Sequence, residues 1–222
     1  KGNTGTTSST NFLGTTDTVA LVFKVNNEVS GKLDMNLAAN TSYGYQSLLN
    51  NASINNTALG YQALSSNTSG GYNTALGTFS LLNNTTGYQN TAVGSGSLQS
   101  NVAGRFNSAF GYAALLNNSS GESNTALGNY ALLQNTDGTS NTAIGADALY
   151  SNTYGSNNAA LGTGTLYTNT TGCCNTAIGH QSLYSNTEGY FNNGEGYEAL
   201  KNNITGHNNN AVGSRAMQAN TS

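Results

Sequence analysis

The chain has 222 residues, a formal net charge of −3 and only 7% charged residues, whereas ordinary soluble domains carry about 25%. No basic field exists to attract nucleic acid or anionic lipid, and no apolar run reaches the roughly 18 residues that a membrane span needs. Asn, Gly, Thr and Ser dominate, with no Pro and no Trp; such a composition suits either disorder or a repeat fold whose small polar residues stack on copies of themselves.

The chain opens on "KGNTGTTSST", which lacks the apolar core of a signal peptide. It has no initiating Met and stops at "QANTS" inside a repeat, so it reads as an excerpt of a longer chain or a processed product. Residues 1–39 do not follow the repeat. Within them "VALVFKV" (19–25), "NNE" and "VSGKLDM" predict two strands around a turn. Such a hairpin is expected to cap the first coil of the repeat array, whose open edge would otherwise recruit other strands.

Residues 40–55, "NTSYGYQSLLNNASIN", form a short first unit of 16 residues. First units of solenoids are often atypical because they face a cap. Ten units of 17 residues follow, each opening on an Asn (position 1), from Asn56, Asn73 and Asn90 to Asn209. Position 5 is always Gly, as in Gly60 and Gly77. Position 12 is always Asn, as in Asn67, Asn84 and Asn101, and position 15 is Gly wherever it is reached, as in Gly70 and Gly87. Position 9 is Leu, as in Leu64, Leu81 and Leu98, except at Met217. Position 3 is Ala except at Gly194, position 4 is apolar except at Glu195, and position 8 is Ala, Ser or Thr.

A helix would show an apolar period of 3.6, and none is present. Within each unit, "NTALG" and "QALS" instead predict two short strands. Gly at positions 5 and 15 is expected to supply the positive φ of tight corners, with Asn assisting at the turns. Stacked in parallel about 4.8 Å apart, ten such coils give a rod body of roughly 48 Å. Identical residues then stand in files, and the two Asn columns are expected to bond amide to amide along the rod. The fold class expected is all-β: a parallel β-solenoid of 17-residue coils over residues 40–222, eleven repeats with the last truncated.

Neighbouring residues on a strand point to opposite faces, so positions 3 and 4, and likewise 8 and 9, predict apolar groups both inside and outside the coil. The outer ones imply oligomerisation. The arrangement expected first is a three-fold bundle with Ala or Leu columns near its axis; the alternative is one wide coil with a half-exposed second face.

The segment "NFLGTTDTVALVFKVNNEVSGKLD" followed by these arrays resembles bacterial and bacteriophage tail-fibre-type proteins. The "NTAIG" units are similar to the head repeats of trimeric autotransporter adhesins, although the repeat here is longer. That resemblance implies a homotrimeric, left-handed β-roll on an extracellular or virion fibre.

Candidate chemistry is sparse. His180 and His207 fall at different repeat positions, 6 and 16, so they are not expected to share a metal. Glu195 and Glu198 lie in the most deviant unit, "NNGEGYEAL", where paired carboxylates could cleave polysaccharide but read more simply as solvated or paired groups. The period is wrong, and Asp too scarce, for a calcium β-roll. Cys173 and Cys174 are adjacent, a spacing poor for mutual bridging; they are read as small loop residues, with a bridge between chains as the alternative. No cofactor, metal or catalysis is expected.

Two surfaces are candidates for contact. Position 10 carries Tyr150, Tyr167 and Tyr184 in successive units, and Tyr72, Tyr88, Phe106, Tyr190 and Phe191 sit in the second corner. Such rings either bind glycans or a receptor, or stack on each other. Position 13 carries Thr68, Thr85, Thr136, Thr153, Thr170 and Thr187, a file that could order water at an ice surface, though Val102 and Ile204 interrupt it. The function expected is a structural extracellular fibre or adhesin module. The alternatives are a head-to-tail self-assembling filament and a carbohydrate- or ice-binding solenoid.

Overall fold

The computed structural model describes residues 19–33 and 39–222; the remainder of the expected N-terminal segment lies outside the described residues. The chain is all-β, with no helix among the described residues. An N-terminal hairpin pairs β1 (Leu21–Val25) with β2 (Glu28–Leu33). Its two-residue turn places Asn26 at φ 51° and Asn27 at φ 63°, the left-handed pair that a tight hairpin turn demands and Asn tolerates.

Each coil then contributes one three-residue strand. These are β3 (Thr41–Tyr43), β4 (Thr57–Leu59), β5 (Thr74–Leu76), β6 (Thr91–Val93), β7 (Ser108–Phe110) and β8 (Thr125–Leu127). They continue as β9 (Thr142–Ile144), β10 (Ala159–Leu161), β11 (Thr176–Ile178), β12 (Asn193–Glu195) and β13 (Asn210–Val212). All 13 strands form one sheet in sequence order. From β3 onward the pairing is parallel, and in most coils Ala lies opposite Ala and apolar opposite apolar, as in Ala58↔Ala75 and Leu59↔Leu76; Ser42, Gly194 and Glu195 depart from this. The expected β-solenoid is therefore what the chain builds. β2 pairs antiparallel with β3 and so covers the first coil's edge.

The second predicted strand of each unit, "QALS", does not form. Positions 6–11 are instead a chain of turns in which positions 7 and 9 both take left-handed φ, for example Gln62 at 54° and Leu64 at 52°. The peptide groups there still bond between coils, Gln62 N–H to the Tyr45 carbonyl at 2.9 Å and Leu64 N–H to that of Ser80 at 3.1 Å. The kinks turn positions 8 and 9 both inward. Ala63 and Leu64, Ser80 and Leu81, and Ser97 and Leu98 are all completely buried. A left-handed Leu costs roughly 1–2 kcal/mol, but full burial of its side chain returns about 1.5–3 kcal/mol, so burial wins in the coils from Leu64 to Leu200, where position 9 is completely buried. The Ala and Leu columns consequently fill the coil's own interior. The position-3 and position-8 columns and the position-9 Leu column are therefore not available to line the axis of a bundle, and of the two predicted outward apolar columns only position 4 faces outward.

The two invariant glycines have different causes. Position 5 has φ between 113° at Gly179 and 145° at Gly128, which L-residues rarely adopt. Position 15 does not supply positive φ as expected; that work falls to positions 7, 9 and 17, as at Phe106 (φ 61°) and Cys174 (φ 60°). Position 15 is Gly because there is no space for a side chain. A Cβ on Gly104 would stand 2.5 Å from the Gly121 carbonyl oxygen and 2.7 Å from Asn118 Nδ2.

Both Asn columns form as expected. Asn84 donates from Nδ2 to Asn67 Oδ1 at 2.7 Å, and Asn101 to Asn84 Oδ1 at 2.7 Å. In the other file the backbone N–H of Asn73 donates to Asn56 Oδ1 at 2.9 Å, and that of Asn90 to Asn73 Oδ1 at 3.0 Å. The Nδ2 groups of Asn73 and Asn84 both reach the Gly87 carbonyl, at 2.9 Å each. Each coil is thus tied to itself at position 15 and to its neighbour along both files, with these amides wholly buried. Burying an amide is costly unless it is hydrogen-bonded, and here each finds partners only when the coils are in register.

Candidate functional site

The polar groups that could serve a ligand are mostly turned on the fold itself. At the corner after position 12, three successive N–H groups converge on one oxygen: Thr68, Ser69 and Gly70 all donate to the Thr85 carbonyl, at 3.1, 3.0 and 3.2 Å. Converging N–H groups of this kind hold anions elsewhere, but here a carbonyl of the next coil occupies them. The position-13 hydroxyls point the same way. Thr68, Thr85, Thr136, Thr153, Thr170 and Thr187 each donate from Oγ1 to the next coil's carbonyl at 3.0–3.2 Å. A threonine file so engaged has no hydroxyl proton left to order water.

Tyr150, Tyr167 and Tyr184 do come together. Their rings stack in a column, with centroids 5.0 and 5.1 Å apart and planes within 12° and 6° of parallel. Both faces of Tyr167 are turned to its neighbours, which leaves its edge and hydroxyl toward solvent. Burial, and then the neighbouring tyrosines, push its phenol above the ordinary range. The file is longer than position 10 alone indicates, because Tyr130 meets Tyr150 at 6.5 Å and Tyr112 meets Tyr130 at 5.3 Å, both edge-on. Those two sit at positions 7 and 6. Sequence reasoning missed them because it treated positions 6 and 10 as separate elements, whereas the turns place them on one corner.

In the second corner Tyr88 and Phe106 meet edge-on at 5.2 Å, and Tyr190 meets Phe191 at 5.6 Å. Arg105 bridges Tyr88 and Glu122, with Nη1 donating to the phenol oxygen at 2.8 Å and Nε to the carboxylate at 2.6 Å. The two histidines stay apart, each stacked on a tyrosine: His180 on Tyr197 at 5.6 Å and His207 on Tyr190 at 4.7 Å. No group of three metal-ligating side chains occurs among the described residues.

The two carboxylates of the deviant unit part company. Glu195 lies on β12 and receives only a long bond of 3.4 Å from Asn193 Nδ2. Glu198 is buried in the turn region and takes Lys201 Nζ at 2.6 Å, Gln218 Nε2 at 2.8 Å and Arg215 Nε at 3.2 Å. The Lys201 hydrogen bond, opposed by desolvation and reinforced by Arg215, holds Glu198 below the usual carboxylate range. A general acid for glycoside cleavage needs the opposite shift. Cys173 and Cys174 are free and half-buried, and burial pushes the Cys174 thiol up; a raised pKa makes for an inert rather than a nucleophilic sulfur.

The outer face of the coil strands is another surface that the fold does not consume. On every coil strand position 3 points inward, while positions 2 and 4 point outward. Position 4 gives a file from Tyr43 to Val212 that is apolar except at Glu195, with Leu127 48% and Ile144 37% exposed. Beside it runs a second file, mostly Thr, whose Thr57, Thr74, Thr125 and Thr142 hydroxyls bond to no other described residue. That one of positions 3 and 4 faces outward was foreseen, but neither which one nor its threonine companion was, although "TAL" and "TAI" carried the signal. No family model, curated protein or solved structure matches this chain.

Proposed function

We propose that the chain is a non-catalytic rod segment of an extracellular fibre, the shaft or head of an adhesin or tail-type fibre projecting from a cell or virion surface and assembled as a homotrimer. The observation that carries this reading is the single uninterrupted parallel ladder from β3 to β13. Every invariant position serves that ladder: the Asn files, the Leu and Ala interior and the two glycines are spent on joining one coil to the next. Glu198, the two histidines and the position-13 threonines are neutralised, stacked or already bonded. A design that devotes its fixed positions to length and stiffness suits projection.

The resemblance of the "NTAIG" units to adhesin heads and of the N-terminal segment to tail-fibre-type proteins supports the same reading. The test is immunolabelling of intact source cells or particles with antibodies to the folded chain, paired with a panel of polysaccharides offered as substrates. Surface label without hydrolysis is the expected result. Label appearing only after lysis, or turnover of any polysaccharide, defeats the proposal.

A further inference from the structure

The internal repeats act as an alignment of the chain with itself and separate what the fold needs from what it tolerates. Position 10 is Ser65, Leu82, Gln99, Leu116 and Leu133 in the first five 17-residue coils, and Lys201 and Gln218 in the last two. Nothing in the fold therefore calls for an aromatic ring there. In the three coils between, the residue is Tyr150, Tyr167 and Tyr184. Their ring centroids stand 5.0 and 5.1 Å apart, with planes 12° and 6° from parallel. That separation is close to the rise of one coil, about 4.8 Å, so each ring is the translated copy of the next. Ortho carbon stands over ortho carbon, and hydroxyl over hydroxyl. All three side chains are half-buried. Tyr150 and Tyr184 both oppose ionisation of Tyr167, as phenols on one side of a file must.

We propose that this file is a site of oxidative modification, at which a peroxide-driven one-electron oxidant joins Tyr167 to Tyr150 or Tyr184 by a bond between their ortho carbons. The inference needs the stacked coils and not the extracellular reading. Each phenol gives up one electron and one proton and becomes a phenoxyl radical, whose unpaired electron is shared with the ortho carbons. Two such radicals combine, and a small tilt of each ring about its side-chain torsions closes the gap. Each ortho hydrogen then moves as a proton to its own phenoxyl oxygen, which restores both hydroxyls. In sum two electrons and two protons leave, and one molecule of hydrogen peroxide takes them up as two molecules of water. Free phenols reach this product only when two short-lived radicals meet; here the coil stack supplies both encounter and alignment. The other tyrosine contacts lack that alignment. Tyr112 meets Tyr130 at 87° and Tyr130 meets Tyr150 at 64°, so an edge faces a ring plane and no two ortho carbons are opposed. Tyr45 and Tyr61 are parallel within 18° but stand 5.7 Å apart, which makes them the slower second pair. The new bond ties neighbouring coils across a loop of 17 residues, and a cross-link that closes a loop stabilises by constraining the unfolded chain.

The test treats the dilute full chain with a haem peroxidase and limiting hydrogen peroxide. A parallel sample receives a small photochemical one-electron oxidant, which reaches half-buried rings. The expected product is a single chain, lighter by two hydrogen atoms per bond and fluorescent as a biphenol. Peptide mapping is expected to place the bond at Tyr150–Tyr167 or Tyr167–Tyr184. Tyr167→Phe keeps the ring stack but leaves Tyr150 and Tyr184 two coils apart, so the yield from this file is expected to fall about tenfold or more. If that variant fails to fold, Tyr150→Phe with Tyr184→Phe isolates Tyr167 and decides on the same readout. Oxidation in denaturing urea is expected to scatter the remaining coupling over the 13 tyrosines. A file yield unchanged in Tyr167→Phe or in urea overturns the proposal. So do bonds formed mainly between chains, or at the edge-on pairs in preference to the parallel ones. Oxygen added to the rings without a carbon–carbon bond, or no bond with either oxidant, overturns it equally.

Discussion

Asn135 donates from Nδ2 to Asn118 Oδ1 at 2.7 Å and to the carbonyl of Gly138 at 3.0 Å. In turn its own Oδ1 accepts from Asn152 at 2.8 Å. Asn135→Ala removes all three bonds and strands buried partners above and below. Each orphaned buried group costs about 1–3 kcal/mol, so a loss of roughly 2–4 kcal/mol is expected. Because coils are coupled only to their neighbours, the break falls between two stacks of coils. Urea denaturation should then show two transitions where the wild type shows one.

The glycine at position 15 is a stricter requirement than a flexible turn. A Cβ on Gly138 would overlap Asn135 Oδ1 and the Gly155 carbonyl oxygen and lie 2.8 Å from Asn152 Nδ2. Neither the amide file nor the next coil can move aside without breaking the stack. Gly138→Ala should therefore cost more than about 4 kcal/mol, the range that a named steric conflict reaches. Gly96→Ala is the contrast. Gly96 has φ 69°, and its nearest neighbour to a new Cβ would be the flexible end of Gln99 at 3.3 Å. Non-glycine residues already hold the equivalent place in other coils, as at Ala113 and Gln62, so a cost of about 1 kcal/mol is expected. Thermal melts of the two variants side by side check the difference.

What could be read from the chain beforehand was whatever depends on repetition. An interval of 17 residues places Asn67, Asn84 and Asn101 in one file whatever the backbone does within a coil, and they are in one file. What depended on local conformation was less legible. "QALS" looks like a strand because Leu next to Ala or Ser suggests alternation. The left-handed φ at Leu64 and its equivalents reverses that alternation, and no propensity of Leu announces it. Burial imposes the conformation, so it becomes visible only once the interior is built. The stacking of Tyr167 on Tyr150 and Tyr184 was legible from the interval, whereas the extension of the file to Tyr130 and Tyr112 was hidden because it depends on turn geometry, not on spacing.

Tyr167 accordingly contributes to stability through its two stacked neighbours. Aromatic pairs are worth about 0.5–1.5 kcal/mol each beyond area burial, and two pairs are lost in Tyr167→Ala. A destabilisation of roughly 1–3 kcal/mol is expected, whereas Tyr167→Phe keeps both faces and should change stability by less than about 0.5 kcal/mol. Chemical denaturation of the pair of variants provides the check. A phenylalanine variant as unstable as the alanine one would mean that the hydroxyl, and not the ring, is what the column needs.

Glu198 makes stability depend on pH in a direction that can be worked out. Its folded pKa is held below its ordinary value of 4.5 by Lys201, then by Arg215. The unfolded chain therefore binds this proton more readily than the folded one. The stabilisation is present above the unfolded pKa and fades as pH falls through it toward the lower folded value. Melting temperature should thus drop on acidification through and below pH 4.5. Glu198→Gln should be less stable than the wild type at neutral pH, because Lys201 and Arg215 lose their counter-charge. The two melting curves should converge at the acid end. The region affected is local, since Lys201, Arg215 and Gln218 gather around this one carboxylate and Lys201 also donates to Gln181 Oε1 in the preceding coil. Hydrogen exchange at low pH should therefore open the coils from Gln181 onward before those around Leu98. Uniform exchange along the rod, or a stability gap between the wild type and Glu198→Gln that is independent of pH, would show that the clamp is not what holds this stretch.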